Sequence, residues 1–323
     1  MLEINSLYKK FNLEDGLFAR YGRFVYAVNG VTLKINDGET YGVVGESGCG
    51  KSTLSRIIAG IYPYDSGEII FTSKSGEVFF PCREKKKERI KSLRKAVRYI
   101  FQDPAKSLDP RQSISEILTE GVRWSGQFSK KEAVTQAQMM LSAVGLNPED
   151  LSRRPGDFSG GQRQRISIAR ALITKPEILL CDEVVSALDV SVQSQIINLL
   201  LKLKEKYRIT ILFISHDLSV VSYISDRVGV MYGGMLMEEA AADKIMTEHR
   251  HPYTKLLYSS VAENSKKTLY EKNDGEVANL VTPISGCPFA NRCPSVTAQC
   301  LQAVPQMKEI SAGHRVACWN INF

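Results

Sequence analysis

The chain has 323 residues, 43% hydrophobic and 24% charged, a balance that excludes a disordered chain and supplies a sizeable core in two domains or in one large domain with an extension. Its net charge of +7 is modestly basic, and no apolar run approaches the eighteen or so residues that a membrane span requires. The opening MLEINSLYKKFNLEDG is acidic early and lacks the apolar stretch of a signal peptide, so a cytosolic location is expected.

The first element with chemistry is ETYGVVGESGCGKSTLSRIIAG at 39–60. YGVV reads as a buried strand, GESGCGKS fits G-x-x-x-x-G-K-[ST] from Gly45 to Ser52, and STLSRIIAG continues at helical period. Backbone N–H groups of such a loop turn inward around phosphate oxygens, and the helix start adds a favourable dipole. Lys51 would reach the β- and γ-phosphates and the Ser52 hydroxyl would ligate Mg²⁺. Cys49 reads as a spacer directed away from the phosphates.

Next comes the basic run REKKKERIKSLRK at 83–95, which Glu84 and Glu88 interrupt; it reads as a solvated helix face of mixed sign and not as a nucleic-acid or lipid patch. Residues 103–157 read mainly as helix, in SISEILTEGV and KKEAVTQAQMMLSAVGL. In DFSGGQRQRISIARAL at 157–172, Ser159 can cap a helix whose first residues, Gly160 and Gly161, expose backbone N–H groups. That is a second anion site, and with one phosphate loop already present it suggests a nucleotide shared with another subunit. KPEILLCDEVVSALD at 175–189 is a buried strand that ends in acids. Asp182 would hold Mg²⁺ through water and Glu183 would polarise the attacking water, while Cys181 belongs to the core. His216 follows the apolar strand TILFIS.

These motifs, in this order, resemble those of the ATP-binding-cassette ATPases over roughly residues 1–250. The match runs through Walker A Gly45, Glu46, Ser47, Gly48, Cys49, Gly50, Lys51, Ser52 and Thr53, Gln102 in YIFQDP, and the signature FSGGQ with Ser159, Gly160, Gly161 and Gln162. Walker B 178–182, Glu183, SALD ending at Asp189, and His216 in FISHD complete it. The family commonly has proline after the catalytic glutamate, where this chain has Val184. The resemblance implies an α/β P-loop nucleotide-binding domain: a RecA-like core with antiparallel β and helical subdomains, the latter inserted at about 103–157. It also implies two subunits sandwiching two ATP molecules, each between one Walker A loop and the other subunit's signature. Glu183, His216 and Gln102 would be catalytic, Gln102 sensing Mg²⁺ as well. An aromatic of the N-terminal region would stack on adenine, Phe11 first and Tyr26 second.

Only residues 54–157 separate Walker A from the signature, too few for the coiled coil of a chromosome-maintenance ATPase, and one cassette argues against a translation-type protein. What remains is the ATPase subunit of an importer, peripheral at the cytoplasmic face of the membrane. Its expected partners are two integral-membrane permease subunits, an extracytoplasmic peptide-binding protein acting through the complex, and no nucleic acid. After the cassette at 1–248, HPYTKLL opens an extension at 249–323 and resembles the segment that marks the peptide and nickel importer group. There Pro252 and Tyr253 are expected to pack. Di- or oligopeptides are the expected cargo, with nickel or a metal chelate as the alternative. LFAR near the start and the sequence after Gln102 resemble one of two paralogous ATPases, which implies a heterodimer.

Residues 261–282 are polar and read as a linker. The small Cys-rich tail then places Cys287, Cys293, Cys300 and Cys318 at C-x5-C-x6-C-x17-C. A cytosolic setting disfavours disulfides, and a zinc knuckle lacks its usual C-x2-C pairs. Four thiolates at wider spacing suit a [4Fe–4S] cluster, zinc being the alternative, and Pro288 and Pro294 stiffen the chain beside two of them. Some peptide-importer ATPases carry a tail that resembles this one. His314 is left outside the ligand set as a structural residue.

Overall fold

The computed structural model describes residues 1–13, 23–125, 128–262, 281 and 283–321. LFAR and nearly all of the expected linker at 261–282 lie outside them. Among the described residues no helix is long and apolar enough to cross a membrane. The chain divides into two compact units.

One unit comprises Met1, Asn36–Glu39 and Thr72–Phe213. Its centre is Ile178–Asp182, every residue of which is buried, as expected of an apolar strand in a parallel sheet covered on both faces. Val97–Ile100 pairs with it in parallel, Val97 opposite Ile178 and Ile100 opposite Cys181, and Thr210–Ser215 runs on its other side. The helices expected within 103–157 form as Ile114–Ser125 and Lys130–Ala143. The second starts at Ser129, whose side chain accepts from the Glu132 N–H while Glu132 returns the bond, so two orphan donors of the first turn are satisfied. Gly160–Leu172 and Val190–Tyr207 complete the larger helices. The basic run forms Lys87–Ala96, which buries only Leu93, and Arg89 forks onto Glu84 at 2.7 and 2.8 Å. It is a mixed-charge face, as its sequence indicates.

The other unit comprises Leu2–Ile35, Thr40–Phe71 and Ile214–Phe323. Leu2–Asn12 lies between Phe24–Ile35 and Ser66–Thr72, antiparallel to both. In a second sheet, Thr40–Val44 runs parallel to Arg227–Tyr232, followed in order by Met235–Ala241, His314–Val316 and Lys308–Ser311. Gly42 lets the helix Leu218–Ile224 lie close on Thr40–Val44, since a Cβ there would fall 2.3 Å from a Val221 methyl.

The last described part of the tail therefore completes a sheet, a role that its sequence did not disclose. The cause is a pair of adjacent acids, Glu238 and Glu239, both at 0% exposure. Buried carboxylates require partners. Glu238 accepts from the Arg250 and His251 N–H groups at 2.7 and 2.9 Å and from His314 Nε2 at 2.7 Å. Glu239 accepts from the Tyr41 hydroxyl at 3.0 Å and pairs with Arg227 and Arg315.

Burial pushes the His251 imidazole down to about 4, with Glu238 opposing only in part. Below the imidazole's ordinary range the unfolded chain takes up a proton that the folded chain refuses, so stability present near neutrality is lost as pH falls. The unfolding free energy is expected to drop by about 3 kcal/mol through this group between roughly pH 6.5 and 4. His251→Asn, which keeps an acceptor for the Tyr253 N–H, should flatten that part of the profile in denaturant titrations. Equal slopes in the two proteins would refute the assignment.

Candidate functional site

The phosphate loop follows the buried strand Thr40–Val44 and ends at the helix Lys51–Ile58. Gly50 caps that helix at φ 105°, where a Cβ would sit 2.1 Å from the Ala27 carbonyl oxygen, so both conformation and space demand glycine. Lys51 is 4% exposed, and its ammonium donates to the carbonyls of Gly45 at 2.7 Å and Glu46 at 2.9 Å. Its head is thus aimed back across the loop. Ser52 and Thr53 open the helix, and the Ser52 carbonyl accepts from Ser55 Oγ at 3.1 Å. Cys49 is buried, which raises its thiol pKa although Lys51 at 3.8 Å pulls it down, so it is a neutral, shielded spacer.

The strand Ile178–Asp182 delivers the acids. Asp182 is 2% exposed, and its Oδ2 accepts from the Tyr99 hydroxyl at 2.5 Å. Glu183 leaves the strand at φ 50°, a left-handed conformation that a non-glycine residue adopts at a cost. Its Oε2 accepts from Gln102 Nε2 at 2.9 Å. Asp182, Glu183 and Gln102, named separately from the sequence, thus form one constellation with Tyr99. Val184 is buried; a proline there would press Glu183 towards extended conformations, a restriction that valine does not impose.

Ser159 caps Gly160–Leu172: its Oγ accepts from the Gln162 N–H at 3.3 Å, and Gln162 Oε1 accepts from the Ser159 N–H at 2.9 Å. Ser159 and Gly160 are exposed, and a Cβ on Gly161 would come within 2.7 Å of Val192. Asp189 caps Val190–Tyr207 without a side-chain bond and is exposed. His216 is exposed just beyond Thr210–Ser215, where Asp217 accepts from the Ser219 and Val220 N–H groups and starts the next helix. Phe11 is half-buried near the end of Leu2–Asn12, edge-on to Tyr62 at 5.4 Å, and Tyr26 lies on the neighbouring strand.

Cys287, Cys293, Cys300 and Cys318 line one cavity of about 310 Å³, with Arg250 and Lys255 also on its wall. Burial pushes Cys287 up to about 12 and raises Cys293 and Cys318. As placed, no group of three or more His, Cys, Asp or Glu among the described residues could hold a metal ion. The expected ligand set is brought around a common space and not around a point. His314 belongs to the Glu238 network, in keeping with its exclusion from the ligands.

Two site neighbours escaped the sequence reading. Tyr99, three residues before Gln102, could have been noticed as the polar-tipped aromatic of a short apolar strand beside Walker B. Arg292, which pairs with Glu46 of the phosphate loop, left no signal between Cys287 and Cys293.

A family model described as ABC transporter matches residues 28–186, and one described as oligopeptide/dipeptide transporter, C-terminal region, matches 237–300. The oligopeptide transport ATP-binding protein AppF of Bacillus subtilis (strain 168) is 43% identical over 322 residues, covering 98% of this chain and 96% of its own. The oligopeptide transport ATP-binding protein OppF of Escherichia coli (strain K12) is 40% identical, with coverage of 100% and 96%. Among solved structures, the dimeric post-hydrolysis state of the ATP-binding cassette MJ0796 bound to ADP and Pi aligns with a TM-score of 0.64 at 27% identity, covering 75% of this chain and 99% of that one. The phosphate loop, the strand-end acids and relatives that span nearly the whole chain agree: it belongs to the ABC transporter ATP-binding family, as an ATPase cassette with the oligopeptide/dipeptide transporter C-terminal region.

Proposed function

We propose that this ATPase powers the import of di- or oligopeptides through a membrane permease. The observation that carries this reading is the peptide-transporter C-terminal region at 237–300 in the same chain as the cassette, with relatives named for oligopeptide transport along its full length. The proposed organisation is a cassette over 1–248 and an extension over 249–323. It would sit peripherally at the cytoplasmic membrane face, bound to two permease subunits and paired with a paralogous ATPase, and an extracytoplasmic binding protein would supply cargo.

In this reading Lys51 and the loop N–H groups of Gly45 to Thr53 hold the phosphates of ATP, and Phe11 stacks on adenine. Mg²⁺, which Ser52 and Asp182 would hold, supplies charge neutralisation on the phosphates. Both groups suit it: a hydroxyl at a helix start and a buried strand-end carboxylate. Glu183 takes the proton from the attacking water, Gln102 positions it, and His216 donates towards the γ-phosphate. Ser159, Gly160, Gly161 and Gln162 present the N-terminus of Gly160–Leu172 to the partner subunit's ATP, with Asp189 at the same contact. Gln102, already bonded to Glu183, would release it as the site closes.

For the tail the finer reading is a [4Fe–4S] cluster on Cys287, Cys293, Cys300 and Cys318. Supporting it are four free thiols around one cavity with two cationic side chains on the wall, a donor set suited to an anionic iron–sulfur group. Bound there, it would tie the four segments together.

Three experiments bear on this. ATPase activity should rise when the permease subunits, paralogue and peptide-loaded binding protein are reconstituted with the chain; stimulation by nickel-loaded binding protein instead would redirect the cargo, and stimulation by duplex DNA alone would overturn transport. Glu183→Gln should still bind ATP and hydrolyse it at least about a hundredfold more slowly; turnover near wild type would remove Glu183 as the base. Anaerobically purified protein should be brown with equal iron and acid-labile sulfide, whereas zinc without sulfide would refute the cluster.

A further inference from the structure

The phosphate loop contains an acid, and a carboxylate beside a polyphosphate is electrostatically unfavourable. Glu46 does not stand alone, however. Arg292 takes its carboxylate in a two-bond fork, Nη1 donating to Oε2 at 2.8 Å and Nη2 to Oε1 at 3.0 Å, the arrangement in which a guanidinium–carboxylate pair is strongest. The pair is largely shielded, with side-chain exposures of 14% and 26%. The backbone of Glu46 is fixed as well: its N–H donates to the Tyr253 hydroxyl at 2.9 Å and its carbonyl accepts from Lys51. Arg292 is held in turn by the Tyr232 hydroxyl at 3.4 Å and lies 5.8 Å from the ring centroids of Tyr232 and Phe289. Tyr232, Tyr253 and Phe289 pack on one another at 4.6 to 5.4 Å. Arg292 itself ends the single turn Ala290–Arg292, between Cys287 and Cys293.

We propose that Arg292 is a positioning residue for nucleotide binding. It holds the Glu46 side chain in a fixed place and cancels its charge, so that the turn between Cys287 and Cys293 sets the affinity of the phosphate loop for ATP. The proposal rests on the assignment of Gly45–Thr53 as the ATP loop and assigns to the tail an effect on that site. The coupling is reciprocal: whatever orders the turn strengthens ATP binding, and bound ATP steadies the turn.

The test is ATP titration of the purified full-length chain by calorimetry, with KM and kcat measured in the reconstituted complex. Arg292→Ala leaves a carboxylate uncancelled and should weaken ATP binding about five- to tenfold, on KM and not on kcat, by an amount that shrinks at high salt. Arg292→Lys should recover part of it. The discriminating variant is Arg292→Ala with Glu46→Gln, in which the offending charge is gone; it should bind ATP within about twofold of wild type. Glu46→Gln alone should bind about two- to threefold more tightly, because the loop then faces an uncancelled cation. Unchanged affinity in Arg292→Ala overturns the proposal. So does a double variant as weak as the single one, since a purely structural role would not be rescued by removing a charge. If Arg292→Ala fails to fold, Glu46→Gln alone decides, and weaker binding overturns the proposal. Wild-type protein that does not bind ATP would instead sink the assignment of the loop itself.

Discussion

The second sheet depends on two adjacent carboxylates, Glu238 and Glu239, that are wholly removed from water. Neither could remain there unpaired, because a buried charge without partners costs several kcal/mol. Their partners are drawn from distant stretches: Tyr41 of the strand Thr40–Val44 and Arg227 of its neighbour, the backbone at Arg250 and His251, and His314 and Arg315 of the tail. A tail too small for its own core is thereby fixed to Met235–Ala241 by ionic and strand pairing together. The extension is in this sense part of the sheet, and Cys318, two residues past His314–Val316, lines the cysteine cavity.

The strand-end acids follow a different rule. A parallel strand buried on both faces can expose chemistry only where it ends, and Ile178–Asp182 ends in Asp182 and then Glu183. The chain turns there through a left-handed residue, which aims Glu183 towards Gln102 instead of continuing the alternation of the strand. Val184 and Val185, which follow it, are both buried, so the chain leaving the turn is anchored by packing. That is the form of strain that a well-packed surround can sustain.

What the sequence disclosed follows from locality. The loop Gly45–Thr53, the cap at Ser159 and the strand ending at Asp182 are each specified by contiguous residues, and a glycine directly before Lys51 or a Ser-x-x-Gln box can be read without knowing the fold. Ion pairs between residues far apart in sequence cannot be read in that way. Arg292 stands 246 residues from Glu46, and Arg315 lies near the end of the chain while Tyr41 lies near its start. Between Cys287 and Cys293 an arginine looks like ordinary surface charge, and the cysteines drew attention to themselves. The hairpin Lys308–Ser311 and His314–Val316 was equally hidden, because its two short strands carry little apolar pattern and owe their place to the acids opposite them. The four thiols were legible as a set, but their spacing does not fix how closely they approach.

Three acids serve the motifs that handle phosphate, and the chain treats them in two ways. Asp182 receives a phenol hydroxyl from Tyr99, and Glu183 receives a side-chain amide from Gln102; both donors are neutral. Such bonds orient a carboxylate without cancelling its charge, which suits the metal-holding and general-base roles proposed for these two acids. Glu46 receives a guanidinium, which cancels its charge and, being always protonated, does not release it with pH. These bonds to the two strand-end acids thus come from neutral donors, and the loop acid is paired with a permanent cation. The sequence motif treats Glu46 as a free position in the loop; the structure gives it a fixed one, and the fixing comes from the tail.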